Sequence, residues 1–165
     1  VNSTLGLMKL DTFDQTESPI DAQQIDGAEL LLGVRFPPSY RSVLAHHHGS
    51  YGDADFAIAG TVHGASIGQW LSVSPWHTES IWAFLATWSE HQLPKGVIPF
   101  GTDGGGSYIC LDYRSSKEPS VVFWYHELLG ADGLAAVASS FDCFLGLLRP
   151  PAEAQIATSS ATPLR

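Results

Sequence analysis

Hydrophobic positions along this chain fall into short, well-punctuated groups whose spacing predicts both helices and strands. Ser18-Pro19 reads as a helix cap with proline at the first helical position, and Ile25, Ala28 and Leu32 then keep helical spacing until Gly33 stops it. A second helix is predicted from Pro37-Pro38-Ser39, with Tyr40, Val43, Leu44 and His47 on one face and Gly49 as terminator. The Gly/Asp-rich residues 49–55 read as a loop, and residues 56–60 and 67–73 as strands. Ser74-Pro75 opens the clearest helical pattern, in which Ile81, Phe84, Leu85 and Trp88 form one apolar stripe ending before Pro94. Three strands follow at residues 97–100, 108–113 and 121–126, joined by loops short enough for an antiparallel meander. A last helix begins near Ser139-Ser140, aligns Phe141, Phe144, Leu145 and Leu148, and stops at Pro150-Pro151.

This order of elements predicts an α+β fold, an antiparallel meander flanked by helices, rather than a doubly wound sheet. The chain has 165 residues, enough for one domain with one core. The expected division is an N-terminal extension over residues 1–17, a domain over 18–149 and a small, polar tail over 150–165 that is loosely held.

Composition narrows the function classes. Seventeen acidic residues against eight Lys and Arg give a net charge of −9, which argues against a nucleic-acid binder. An acidic surface serves solubility, and it also suits a partner of a basic protein. The apolar runs are too short to span a bilayer, and no basic segment followed by an apolar one opens the sequence. Two cysteines, Cys110 and Cys143, make neither a disulfide framework nor a zinc spacing. The expectation is a cytoplasmic protein with free thiols.

Several stretches invite chemistry. The run from Gly101 to Asp112, GTDGGGSYICLD, offers glycines and a carboxylate. A phosphate loop needs a helix after it, whereas Tyr108 and Ile109 are strand formers and Asp103 repels an anion. A calcium loop needs six or more oxygens, and Asp103, Ser107 and Asp112 supply too few. A hairpin turn accounts for every residue. His46, His47 and His48 are consecutive on a helix, so their side chains diverge by about 100° each and cannot share one metal ion. Cys110 and Asp112 fall on one strand face, which permits a nucleophile with His126 as base. Ile109 and Leu111 nonetheless flank a thiol that nothing activates, and the reading is a core cysteine, with no catalytic residue assigned. Cys143 lies opposite the stripe of the last helix. Trp88 reads as core and Trp70 and Trp124 as strand residues; Trp82, about 100° around the helix from Ile81, reads first as a peripheral core residue and second as a candidate surface aromatic that could anchor an interface. No cofactor or metal is expected.

Three segments together resemble the SUKH superfamily, in the branch named after the yeast cell-wall assembly regulator. The first carries Glu29 on a helix ended by Gly33, then Phe36-Pro37 and Tyr40 in a hydrophobic-Pro-x-x-Tyr pattern. The second has Pro99-Phe100, Asp103, Gly106 and Leu111-Asp112 at the spacing of the family's hairpin. The third pairs the strand at 121–126 with Ser140-Phe141 and Phe144-Leu145, similar to the closing helix. The resemblance spans residues 20–148, loosely between 49 and 93, and implies that the glycine run is a sheet hairpin.

Bacterial members of this superfamily are commonly immunity proteins that bind and neutralise a toxin, often a basic nuclease. The resemblance therefore implies a non-enzymatic protein whose partner is a cognate toxin, with no direct contact to nucleic acid or membrane. It brings no catalytic residues, and the fold by itself names no partner. Expected contacts are the acidic residues near strand ends and loops, Asp53, Asp55, Asp103, Asp112, Glu118 and Glu127, with Tyr51 and Trp82 as aromatic anchors. Two other readings remain at this point: a regulatory scaffold like the yeast namesake, and an enzyme using Cys110 with His126 or a histidine metal site.

Overall fold

The computed structural model describes residue 10, residues 12–14 and residues 19–151. Ser18 and the tail beyond residue 151, both subjects of the expectations above, lie outside the described residues.

The first helix, α1, runs Ala22–Leu32 and starts later than the Ser-Pro signal predicts. Asp21 is its cap: its Oδ1 accepts from the Gln24 N–H at 2.9 Å, and Gln24 Oε1 accepts from the Asp21 N–H at 3.1 Å. This reciprocal box satisfies two donors at once, which a lone serine does not. Gly33, in the left-handed region, closes the helix. Helix α2, Pro38–His47, buries the predicted face of Tyr40, Val43, Leu44 and His47.

Six strands then form one antiparallel sheet whose spatial order is the sequence order: β1 (Tyr51–Phe56), β2 (Ala65–Trp70), β3 (Val97–Thr102), β4 (Tyr108–Asp112), β5 (Ser120–Trp124) and β6 (Leu134–Ala138). β1 occupies the stretch expected to be a loop, and residues 57–60, expected to be a strand, form its turn. Glycine and aspartate are poor strand formers, but Ala54 and Phe56 point inward and β2 supplies the pairing, so tertiary context overrides propensity. β6, Leu-Ala-Ala-Val-Ala, has no strong strand signal of its own and pairs with β5.

Between β2 and β3 the predicted long helix is shorter. Residues 74–79 turn instead, Ser80 caps helix α3 (Ile81–Ala86), and Thr87 separates it from the single turn α4 (Trp88–His91). Pro-Trp-His-Thr-Glu-Ser is a weak helix former, so the local cap at Ser80 decides the start. Trp88 consequently leaves the apolar stripe and is 40% exposed. Helix α5, Phe141–Leu147, is capped by Ser140 and buries Phe141, Phe144 and Leu145.

Alternation along the strands sends side chains to two layers. Ile98, Phe100, Ile109, Leu111, Val121 and Phe123 meet α1, α2 and α5 in the larger core. Val97, Cys110, Val122 and Trp124 face the other way, under Phe84 and Leu93. The molecule is thus α+β, with helices packed on both faces of a meander.

Candidate functional site

Because the sheet is a meander, its hairpins fall at two opposite ends. One end collects the loops at residues 57–64, 103–107 and 125–133; the other collects the hairpin at 113–119 beside α1. The two ends treat their charged residues differently.

At the first end, the three loops contain no Lys or Arg, but they hold Asp103, Glu127 and Asp132, and Asp55 adjoins them on β1. A groove of about 680 Å³ opens there, lined among others by Asp55, His63, Ser66, Asp103, Ser107 and Tyr125. The glycine run is the β3–β4 hairpin, with Gly104 and Gly106 at positive φ, where side-chain-bearing residues are strained. Asp103 holds it: Oδ1 accepts from the N–H of Gly105 at 2.7 Å and of Ser107 at 3.0 Å. Ser107 Oγ in turn meets His126 Nδ1 at 3.1 Å, tying this hairpin to the β5–β6 loop. In the third loop, the Thr61 hydroxyl contacts the carbonyls of Ile58 and His63 at 2.9 and 2.6 Å. Loops stitched by their own side chains lose little freedom when something binds them.

At the second end three acids, Asp26, Glu29 and Asp112, are paired with arginines within the fold. Glu29 is buried; its Oε1 accepts from the Phe36 N–H at 2.8 Å, and Oε2 meets the guanidinium groups of Arg35 and Arg41, each at 2.8 Å. Burial alone would raise the Glu29 pKa, but the Phe36 N–H and the two arginines outweigh it and hold the carboxyl below its usual range. Arg41 also binds Asp26 at 2.7 Å, and Arg114 forks onto Asp112 at 2.9 and 2.7 Å. Asp112 likewise titrates low: burial opposes this, and the hydrogen bonds and charge of Arg114 prevail. Tyr113 donates to the Arg35 carbonyl at 2.8 Å, closing the hairpin against α1.

The structure therefore brings Asp55 and Asp103 to one groove, with Glu127 on the adjoining loop, and places Asp112 and Glu118 at the opposite end. Tyr51 and Asp53 lie exposed on the edge strand β1. Trp82 is half-buried, its indole N–H donating to the Val73 carbonyl at 2.7 Å. The tryptophan most open to solvent is Trp76, 93% exposed, which sequence reasoning assigned to a helix and passed over. The signal available for it was the weak helical character of residues 75–80.

Cys110 is fully buried, and desolvation, with Asp112 adding to it, pushes its thiol far above the ordinary range. His126 sits at the hairpin with Ser107, so the thiol and imidazole considered above are not assembled into a pair. His46 turns its Nδ1 to the Ser42 carbonyl and His48 its Nδ1 to Ser72 Oγ, in divergent directions. Among the described residues no three metal-binding side chains converge, and no helix is long and apolar enough to cross a membrane.

Against known proteins, residues 19–146 match the model of the SMI1 / KNR4 family (SUKH-1). The chain is also similar to the SPbeta prophage-derived uncharacterized protein YokK of Bacillus subtilis (strain 168), 24% identical over 151 residues that cover 80% of this chain and 77% of that one. With the buried Glu29 knot, the glycine hairpin and all of the closing α5 but its last residue inside the matched span, this chain belongs to the SMI1 / KNR4 (SUKH-1) family.

Proposed function

We propose that this protein is an immunity-type binder that neutralises a basic toxin by covering its working surface with the acidic hairpin end. The observation that carries this reading is the segregation of charge: three neighbouring loops without a single Lys or Arg, next to a groove with two aspartates. A cleft of one sign raises the encounter rate with an oppositely charged partner by about 10- to 1,000-fold, falling with salt. Asp55, Asp103 and Glu127 are the proposed steering groups, joined by Asp132. Tyr51, Asp53, Trp82, Asp112 and Glu118 take secondary places at most. Family membership supports the reading. Cytoplasmic action against a toxin made in the same or a neighbouring cell is part of the proposal.

The test is co-expression with the product of the adjacent gene in a sensitive host. Rescue of growth together with copurification supports the proposal. A harmless neighbour that forms no complex directs attention to a regulatory scaffold instead.

A further inference from the structure

Every leucine left exposed among the described residues belongs to one of two adjacent pairs, and the pairs sit at opposite ends of the sheet. Leu30 and Leu31 fall in the last turn of α1, and Leu30, 83% exposed, lines a groove of about 780 Å³ with Val34, Arg35 and Lys117. Leu128 and Leu129 lie in the β5–β6 loop at the hairpin end, directly after the exposed Glu127. Charge divides the same way. Four of the six Lys and Arg among the described residues, Arg35, Arg41, Arg114 and Lys117, gather at the α1 end, where they balance Asp26, Glu29, Asp112 and Glu118. Lys117 is exposed and has no ion pair among the described residues, whereas Asp26 and Glu29, the acids that line the groove, are already held by arginines. In a chain of net charge −9, this groove offers an apolar wall beside a cation in water.

We propose that this groove receives the Glu127-Leu128-Leu129 loop of a second copy of this chain, with the two leucines against Leu30 and Val34 and the Glu127 carboxylate on Lys117. Neighbouring large apolar side chains left in water mark contact surfaces. The loop brings the two things the groove takes, aliphatic side chains and a negative charge. The α1 end is also where a second copy meets least repulsion, because two hairpin ends face to face would set acids against acids with no Lys or Arg in the loops between them. The contact joins unlike surfaces at opposite ends of the sheet, so a pair does not close on itself. Each copy keeps one end free, and association continues as an open chain. The contact does not depend on the toxin reading. It does occupy Glu127, so a second copy and a toxin exclude each other at the hairpin end; that consequence alone rests on the reading above.

One loop in one groove makes a small contact, below about 1,200 Å² in total, so sedimentation equilibrium is run on the full chain up to roughly 0.5 mM. Salt is held at about 0.15 M, where a Debye length of about 8 Å screens the net charge but not a pair in contact. The expected result is a weight-average mass that climbs past the dimer as concentration rises. Lys117→Glu and Glu127→Lys, both at exposed positions, each weaken association at least about 10-fold, since like charges then meet in the contact. An equimolar mixture of the two variants restores it, because the altered end of each meets its complement on the other. Leu30→Ser weakens association without changing any charge. A wild-type chain that stays monomeric overturns the proposal, as does a mass that levels off at the dimer. A mixture that associates no better than either variant alone overturns it too.

Discussion

The two ends of this sheet use the same residue types for different ends. Beside α1, carboxylates are held by arginines: Glu29 by Arg35 and Arg41, Asp26 by Arg41, Asp112 by Arg114. At the hairpin end, Asp103 caps a turn through backbone N–H groups, in loops that contain no Lys or Arg. A net charge of −9 says nothing about this division. Carboxylates engaged inside a fold contribute to stability, while those left with only dipoles around them set the field that a partner meets.

The sharpest way to break the contrast is Glu29→Ala. It leaves the Phe36 N–H and part of the Arg41 charge without a partner, and a loss of about 3 kcal/mol is expected. That is the low end for a broken buried pair, because Arg35 stays in water. Urea denaturation measures it, and binding of the proposed toxin partner by the fraction still folded should not change.

Acid tests the same knot. The Glu29 and Asp112 carboxyls titrate below their ordinary range in the folded state, so their contribution is complete above the unfolded carboxylate pKa. It is lost as pH falls through the lowered folded values. Glu29→Gln should therefore show a flatter stability decline at acid pH than the wild type, read from denaturation midpoints across the pH series.

At the other end the largest effect should fall on kinetics. Asp55→Asn, Asp103→Asn, Glu127→Gln and Asp132→Asn combined should slow association with the proposed toxin partner by about 10-fold at low salt, and flatten its salt dependence. Neutralising Asp112 and Glu118 instead should leave the association rate within about twofold, since Arg114 already cancels the first. Equal slowing by both sets would dissolve the distinction between the ends.

Smaller effects sharpen the picture. Asp103→Ala removes the acceptor of two hairpin N–H groups and should cost about 1 kcal/mol, whereas Asp103→Asn, which keeps the oxygen, should be near neutral in stability. Trp76→Ala should change stability by less than about 0.5 kcal/mol, as its ring is almost wholly in water.

Much of this was legible in the residues. β3, β4 and β5 are runs of valine, isoleucine, phenylalanine and tryptophan, and the faces of α2 and α5 follow the helical period. β1 and β6 were not, because Gly-Asp and Ala-rich segments become strands only when a neighbour offers its edge. Asp112 looked as available as Asp103, yet Arg114 two residues on turns back and forks onto it, a contact that depends on the turn after β4. Trp76 escaped notice because a proline-led segment looked like the start of a helix, while Ser80 supplied the better cap. Local rules located the elements, and tertiary pairing decided which charged groups stayed outside.

The strand order that equals the sequence order has an evolutionary consequence. Every strand is joined to its spatial neighbour, so the connections at the hairpin end never cross another strand, and a longer one disturbs no register but its own. Doubling a flexible loop adds only about 0.6 kcal/mol of closure entropy. The turns after β1, β3 and β5 can therefore diverge in length and composition while the buried side of the sheet and the Glu29 knot hold still. A scaffold of this kind can change the surface it offers a partner by rewriting three short loops, without having to solve the folding problem again.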